Sequence, residues 1–234
     1  GAGTSLNMNA NEVIANRSIE ILGGQKGDYT IVNPNDHVNC GQSTNDVIPT
    51  AGKMTSLRLL DNLKKELLRL HTALSEKSKE FDHVIKMGRT QMQDAVPIRL
   101  GQEFHAYSVA ILRDINRMDK AMDEMRSVNM GGTAVGTGIN ADENYLKRIV
   151  PNLVEVSGMN FVQAFDLVDS TQNLDPFVSV SGAIKACAVT LSKIANDLRL
   201  MSSGPRAGFG EINLPAKQNG SSIMPGKVNP VIPE

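Results

Sequence analysis

Three stretches of this sequence repeat apolar residues at three- and four-residue steps for far longer than a short domain needs. Met54, Leu57, Leu60, Leu63, Leu67, Leu70 and Leu74 form one stripe, in a helix expected from about Asp46 to Phe81. Leu100, Phe104, Tyr107, Ile111, Ile115, Met118, Met122 and Met125 form a second, over about Leu100 to Val128. Leu174, Phe177, Ile184, Leu191, Ile194, Leu198 and Met201 form a third, over about Gln172 to Ser202. A shorter helix, Asn9 to Leu22, ends at Gly23-Gly24, a pair suited to a left-handed cap. No comparable alternation of period two is present, so the expected fold class is all-α with few strands. A helix of about 35 residues is roughly 50 Å long. A compact chain of 234 residues is only about 45 Å across. Stripes of that length are covered more readily by helices of other subunits than by one chain. That predicts a long-helix bundle and a homo-oligomer, with a monomeric bundle of kinked helices as the alternative.

Composition narrows the partners. The formal net charge is −1 and Lys and Arg are scattered, so no nucleic-acid partner is expected. No uninterrupted apolar run approaches the roughly 18 residues that span a bilayer, so no membrane is expected either, nor a secretory signal. Cys40 and Cys187 lie far apart, with no C-x-x-C pattern and no His company. That argues against a disulfide framework or zinc site and fits a reducing cytoplasm. The first residue is Gly, and the chain stops just after its most motif-like stretch, so further segments are expected on both sides.

Polar, Gly-rich loops lie between the helices. Gly1-Ala2-Gly3-Thr4-Ser5-Leu6-Asn7-Met8-Asn9 offers close backbone approach and two hydroxyls, or caps for the next helix. Gln42-Ser43-Thr44-Asn45-Asp46 stands before the first long helix, where N–H groups and hydroxyls could cradle a carboxylate or simply cap. Gly88-Arg89-Thr90-Gln91-Met92-Gln93-Asp94 packs donors into a turn between two long helices. Gly220-Ser221-Ser222-Ile223-Met224-Pro225-Gly226-Lys227-Val228-Asn229-Pro230 reads as an irregular loop able to act as a lid. Gly131 to Gly138 lacks the Lys-Ser/Thr ending and preceding strand of a phosphate loop, so it reads as a tight helix connection. His37 reads as structural, His71 and His105 on the long helices as packing or surface residues, and Met118 to Met125 as bundle core.

These loops, in this order, resemble the aspartase/fumarase superfamily over essentially the whole chain. The resemblance implies an all-α subunit with a central domain of long helices between two small domains. Four central domains assemble into a tetrameric twenty-helix core, with each active site shared by three subunits. Residues 1–234 would be mainly the central domain, with the other two largely absent and the Ser-Ser catalytic loop at about 214–230. Fumarases typically carry His where Gln91 follows Gly88-Arg89-Thr90, and again where Asn33 opens Asn33-Pro34-Asn35-Asp36-His37-Val38-Asn39. Those two positions and the Gly1 to Ser5 opening place the chain on the aspartase side, although some aspartases keep the first His.

The implied reaction is reversible loss of ammonia from L-aspartate to give fumarate. Removing the C3 proton builds charge on the β-carboxylate as a dianionic aci-carboxylate, which needs a base and dense donors. By resemblance, Ser221 is the base. Lys227 and Asn229 hold a substrate carboxylate, and Thr4, Ser43, Thr44, Asn45, Thr90 and Gln91 complete the carboxylate and amino contacts. Gln91 cannot shuttle a proton, so Glu234, which pairs with the His of relatives, is left without that role. No cofactor or catalytic metal is implied, though some members are stimulated by a divalent cation at a non-catalytic site. The alternatives are a fumarate hydratase and a non-catalytic structural relative.

Overall fold

In a computed structural model, which describes residues 2–234, α1 (Thr4–Ile21) is followed by a single π-helical turn, Pro34–Val38. Then come α2 (Thr44–Glu80), β1 (Ile85–Thr90), β2 (Gln93–Arg99), α3 (Leu100–Met125) and β3 (Ser127–Val128). The remainder is α4 (Glu143–Ser157), β4 (Val162–Gln163), α5 (Leu167–Gln172) and α6 (Asp175–Met201). The all-α expectation holds, with three long helices at the three stripes. The chain divides into two compact units, Gly1–Asp61 with Lys120–Val180, and Asn62–Asp119 with Ser181–Glu234. The long helices α2, α3 and α6 each contribute residues to both.

Several expectations need correction. Helix α1 begins at Thr4, not near Asn9, so Ser5, Asn7 and Asn9 lie inside it and none of them caps it; the cap is Gly3, at φ 86°. The far end follows expectation: Gly23 is left-handed and the Gly24 N–H reaches Ile19 O at 2.9 Å. The stretch Gly88–Asp94 is not a bare turn between helices but the end of an antiparallel hairpin, β1 with β2. In the third stripe, Leu174 precedes the helix and is exposed, as is Ile184. The buried line runs instead through Val180, Ala183, Cys187, Ile194 and Met201. Small residues carry part of that face, so the larger neighbours misled the reading. Among described helices α6 alone is long and apolar enough to cross a bilayer by length and composition, a test that the core helix of a soluble protein also passes.

The stripe on α3 behaves as read. In one unit Phe104 stacks edge-on against both Phe81 and Tyr107, with Ile111 and Met118 sealed beneath. In the other, Met122 and Met125 are buried, filling irregular space as flexible thioethers do.

Candidate active site

The first unit brings two helix starts together. Asn7 and Asn11 sit one turn apart on α1, continuing a buried line with Ala15 and Ile19. Both donate to Asn39 Oδ1, at 3.4 and 3.0 Å. Asn7 also donates to Thr44 Oγ1 at 3.1 Å. A hydroxyl that accepts one bond keeps its own proton to give away. Thr44, at the first position of α2, therefore keeps its own proton free to donate. Ser43 is similar: its Oγ accepts from Asn45 N at 3.2 Å. Gly3 sits so close to Ile48 that an added Cβ would come within 2.9 Å of Ile48 Cγ1, which keeps the start of α1 beside the first turns of α2. Thr4 is exposed there. Two positive helix ends and their hydroxyls make a natural seat for an anion.

A buried carboxylate fastens this cluster to the Gly-rich loop. Asp46, fully buried, accepts from Ser43 N at 2.9 Å and from Thr133 N at 3.0 Å. Burial pushes its pKa above the ordinary value although backbone donors pull the other way. Tyr145 lies against Gly41, and burial, with Asp46 and Cys40 nearby, pushes its hydroxyl up to about 12. Pro49 inside α2 has no N–H, so Asn45 O loses its helical partner. Asn129 fills the vacancy: its Nδ2 donates to Asn45 O at 3.0 Å and to Thr171 Oγ1 at 3.1 Å. The Asn45 side chain in turn donates to Ala134 O at 2.7 Å, so its amide already gives a proton within the protein, whereas the Ser43 and Thr44 hydroxyls only accept. Asn33 is engaged as well, capping the π-helical turn by accepting from Asn35 N and Asp36 N. His37 Nδ1 accepts from Asn33 N at 2.9 Å, a structural contact as expected.

The second unit holds the remaining residues. The loop from Asn219 to Val228 closes on itself through a bridge between those two residues. Gly220 N donates to Lys227 O at 2.7 Å. An added Cβ on Gly220 would lie 2.9 Å from Lys227 Cγ and 3.0 Å from Asn229 Oδ1. The loop therefore gathers Ser221, Lys227 and Asn229 around one glycine that has no room for a side chain. Ser221 is half-buried and its Oγ accepts from Ile223 N at 3.2 Å. Such a donor favours an alkoxide over the neutral hydroxyl. Ser222 is exposed.

Thr90 and Gln91 sit at the tip of the hairpin of this same unit. Gln91 and Met92 have φ of 50° and 63°, the left-handed pair of a two-residue turn that ordinarily carries Asn-Gly. Each such residue costs roughly 1–2 kcal/mol. Replacing Gln91→Asn together with Met92→Gly is expected to stabilise by about 1 kcal/mol, raising Tm by about 2–4 °C, while, on the proposal that Gln91 contacts substrate, lowering turnover of the full-length protein because the amide is drawn back by one methylene. Thermal melts beside turnover measurements check both halves. A variant no more stable, or fully active, would count against strain held at a working residue.

The structure thus brings Thr4, Ser43, Thr44 and Asn45 together in one unit, and Ser221, Lys227 and Asn229 together in the other, which also carries Thr90 and Gln91. Capping at the start of α2 by Ser43 and Asp46 is legible in the sequence and is present; what the sequence reading missed is the reach of Asp46 to Thr133 and the support from Asn7 and Asn39. The available signal was Asn7 and Asn11 at four-residue spacing, two amides on an otherwise apolar face.

The described residues form a helical scaffold that presents small-donor loops and a serine in a self-closed turn. The profile of the family described as Lyase matches residues 1–234, and the chain belongs to that family. It is 59% identical to the aspartate ammonia-lyase of Bacillus subtilis and 50% identical to that of Escherichia coli, in each case over all of this chain and 49% of the relative. The solved structure of a fumarate lyase:delta crystallin from Brucella melitensis bound to cobalt has a TM-score of 0.96 at 54% identity, covering 100% of this chain and 51% of that one. A recombinant class II fumarase from Schistosoma mansoni has a TM-score of 0.88 at 36% identity, covering 99% and 52%. The chain spans about half the length of the curated relatives it matches.

Proposed function

We propose that the full-length protein is an aspartate ammonia-lyase, a carbon–nitrogen lyase, and that these residues are mainly its central helical domain. The observation that carries the reading is identity of 50–59%, over the whole chain, to curated relatives of that name. Ser221 takes the C3 proton. The electron pair moves into the β-carboxylate, then returns as the C–N bond breaks and ammonia leaves. Lys227 and Asn229 hold a carboxylate beside Ser221, and Thr4, Ser43 and Thr44 donate to the charge that develops. Asn45, Thr90 and Gln91 complete the amino and carboxylate contacts. The elimination is redox-neutral, so it needs no redox cofactor; a divalent cation would act away from the reacting atoms. The assembly is a homotetramer in which three subunits supply each site, consistent with donors divided between two units of one chain. The compartment is the cytoplasm.

Fumarase is the second reading, supported by the Schistosoma structure at lower identity. Fumarate formation by the full-length protein, followed by ultraviolet absorbance with L-aspartate and L-malate in parallel, separates the two. Activity on aspartate alone is the expected result; activity on malate would replace the proposal with a hydro-lyase, and silence on both would favour a non-catalytic relative.

A further inference from the structure

Behind the hairpin tip lies a buried ion network that the mechanism above does not use. Strand β1 is irregular between Met87 and Arg89. Strict alternation would set residues 86 and 89 on opposite faces. The bulge puts both cations inward and leaves Thr90 outward. Gly88 allows it, since a Cβ there would come within 2.7 Å of Val96 O. The Lys86 side chain is only 8% exposed and pairs with Glu103 at 3.1 Å and Glu211 at 3.2 Å. Arg89 pairs with Glu211 at 2.8 Å and lies over the Phe209 ring at 4.0 Å. Its other partner, Asp94, is largely exposed. Among the described residues Glu211 is thus the one carboxylate that bridges both Lys86 and Arg89 of the hairpin. It is also fixed by its backbone, because Glu211 N donates to Met201 O at 2.8 Å and Gly210 N to Ser203 O at 2.9 Å. Beyond it the chain runs irregular into the Ser221 loop.

We propose that Glu211 is a positioning residue for the elimination: it pins the root of the Ser221 loop to the hairpin that carries Thr90 and Gln91. Removing its charge leaves the two catalytic segments individually intact but no longer registered, and displacements on the order of 1 Å cost about a hundredfold in rate. The inference rests on the ammonia-lyase reading. In the full-length protein, Glu211→Gln is expected to lower kcat by about 10- to 100-fold, with KM for L-aspartate changed less than threefold, and to open residues 212–230 to limited proteolysis. Arg89→Gln should do the same, and the double variant should lose no more than the worse single one, because both break one link. The primary isotope effect with 3-deuterated aspartate should rise as proton abstraction becomes slower. Arg89→Lys, which keeps the charge, should recover part of the rate, and it serves as the test if Glu211→Gln does not fold. Folded variants with kcat within twofold of the parent, additive losses in the double variant, or an unchanged loop cleavage rate would overturn the proposal. An inactive parent protein would instead strike the ammonia-lyase reading itself.

Discussion

Ser221→Ala in the full-length protein is expected to lower kcat on L-aspartate by roughly 10²–10⁴-fold, the usual contribution of a positioned base, with KM and Tm nearly unchanged. The reasons are local. The loop is closed by backbone bonds, Gly220 N to Lys227 O and Lys227 N to Met224 O, none of which uses the Ser221 side chain. The hydroxyl accepts a single bond, from Ile223 N, on an exposed stretch of chain, so its loss costs little stability. What disappears is the hydroxyl next in sequence to Gly220, the residue that packs against Lys227 and Asn229. Ser222→Ala, one residue on and exposed, is the control and should stay within a few-fold of the parent. Steady-state kinetics on both variants decide the matter: a Ser221→Ala enzyme within tenfold of the parent would remove Ser221 as the base.

The largest stability effect is expected at Gly136→Ala, about 3 kcal/mol or more, since left-handed strain of roughly 1–2 kcal/mol adds to overpacking of typically 1–3 kcal/mol. Gly136 has φ 89°, and an added Cβ would strike Val168 Cα and lie 2.5 Å from Leu167 O. These are backbone atoms at the start of α5, so nothing can rotate away. The damage would spread, because Gly136 N also closes the turn onto Gly132 O, next to the Thr133 N that Asp46 holds. Gly23→Ala isolates the strain: φ is 82° there, but an added Cβ meets nothing. Thermal melts of the two variants should differ by several degrees, with Gly136→Ala much the lower. Equal melts would mean that α5 yields.

The long helices were legible because their stripes repeat over many turns. Only the third went astray, where Ala183 and Cys187 rather than larger neighbours face inward. The hairpin was hidden for a different reason. Its strands alternate weakly, its turn carries Gln91-Met92 in place of the usual Asn-Gly, and a bulge breaks the pattern again. Sequence pattern reports propensity, and here propensity was overridden. The candidate residues at Ser43, Thr44, Ser221 and Lys227 were legible as motifs, through resemblance rather than spacing. Their supports were not. Asn7, Asp46, Asn129 and Glu211 act across 32 to 125 positions of chain, respectively toward Thr44 and Asn39, Thr133, Asn45 and Lys86, and no local pattern encodes such distances.

Pro49 is an example of an omission that works at a distance. The first turn of a helix ordinarily frays, and a ligand that binds there must then meet the entropy of ordering it. By withholding one N–H, Pro49 leaves Asn45 O open to Asn129, while Asp46 ties Ser43, just ahead of the helix, to Thr133. The turn that bears Ser43 and Thr44 is therefore ordered when the chain folds, not when an anion arrives. Whatever that turn binds is spared the entropic cost of immobilising it, and the binding free energy so retained remains for interactions that strengthen on the way to the transition state.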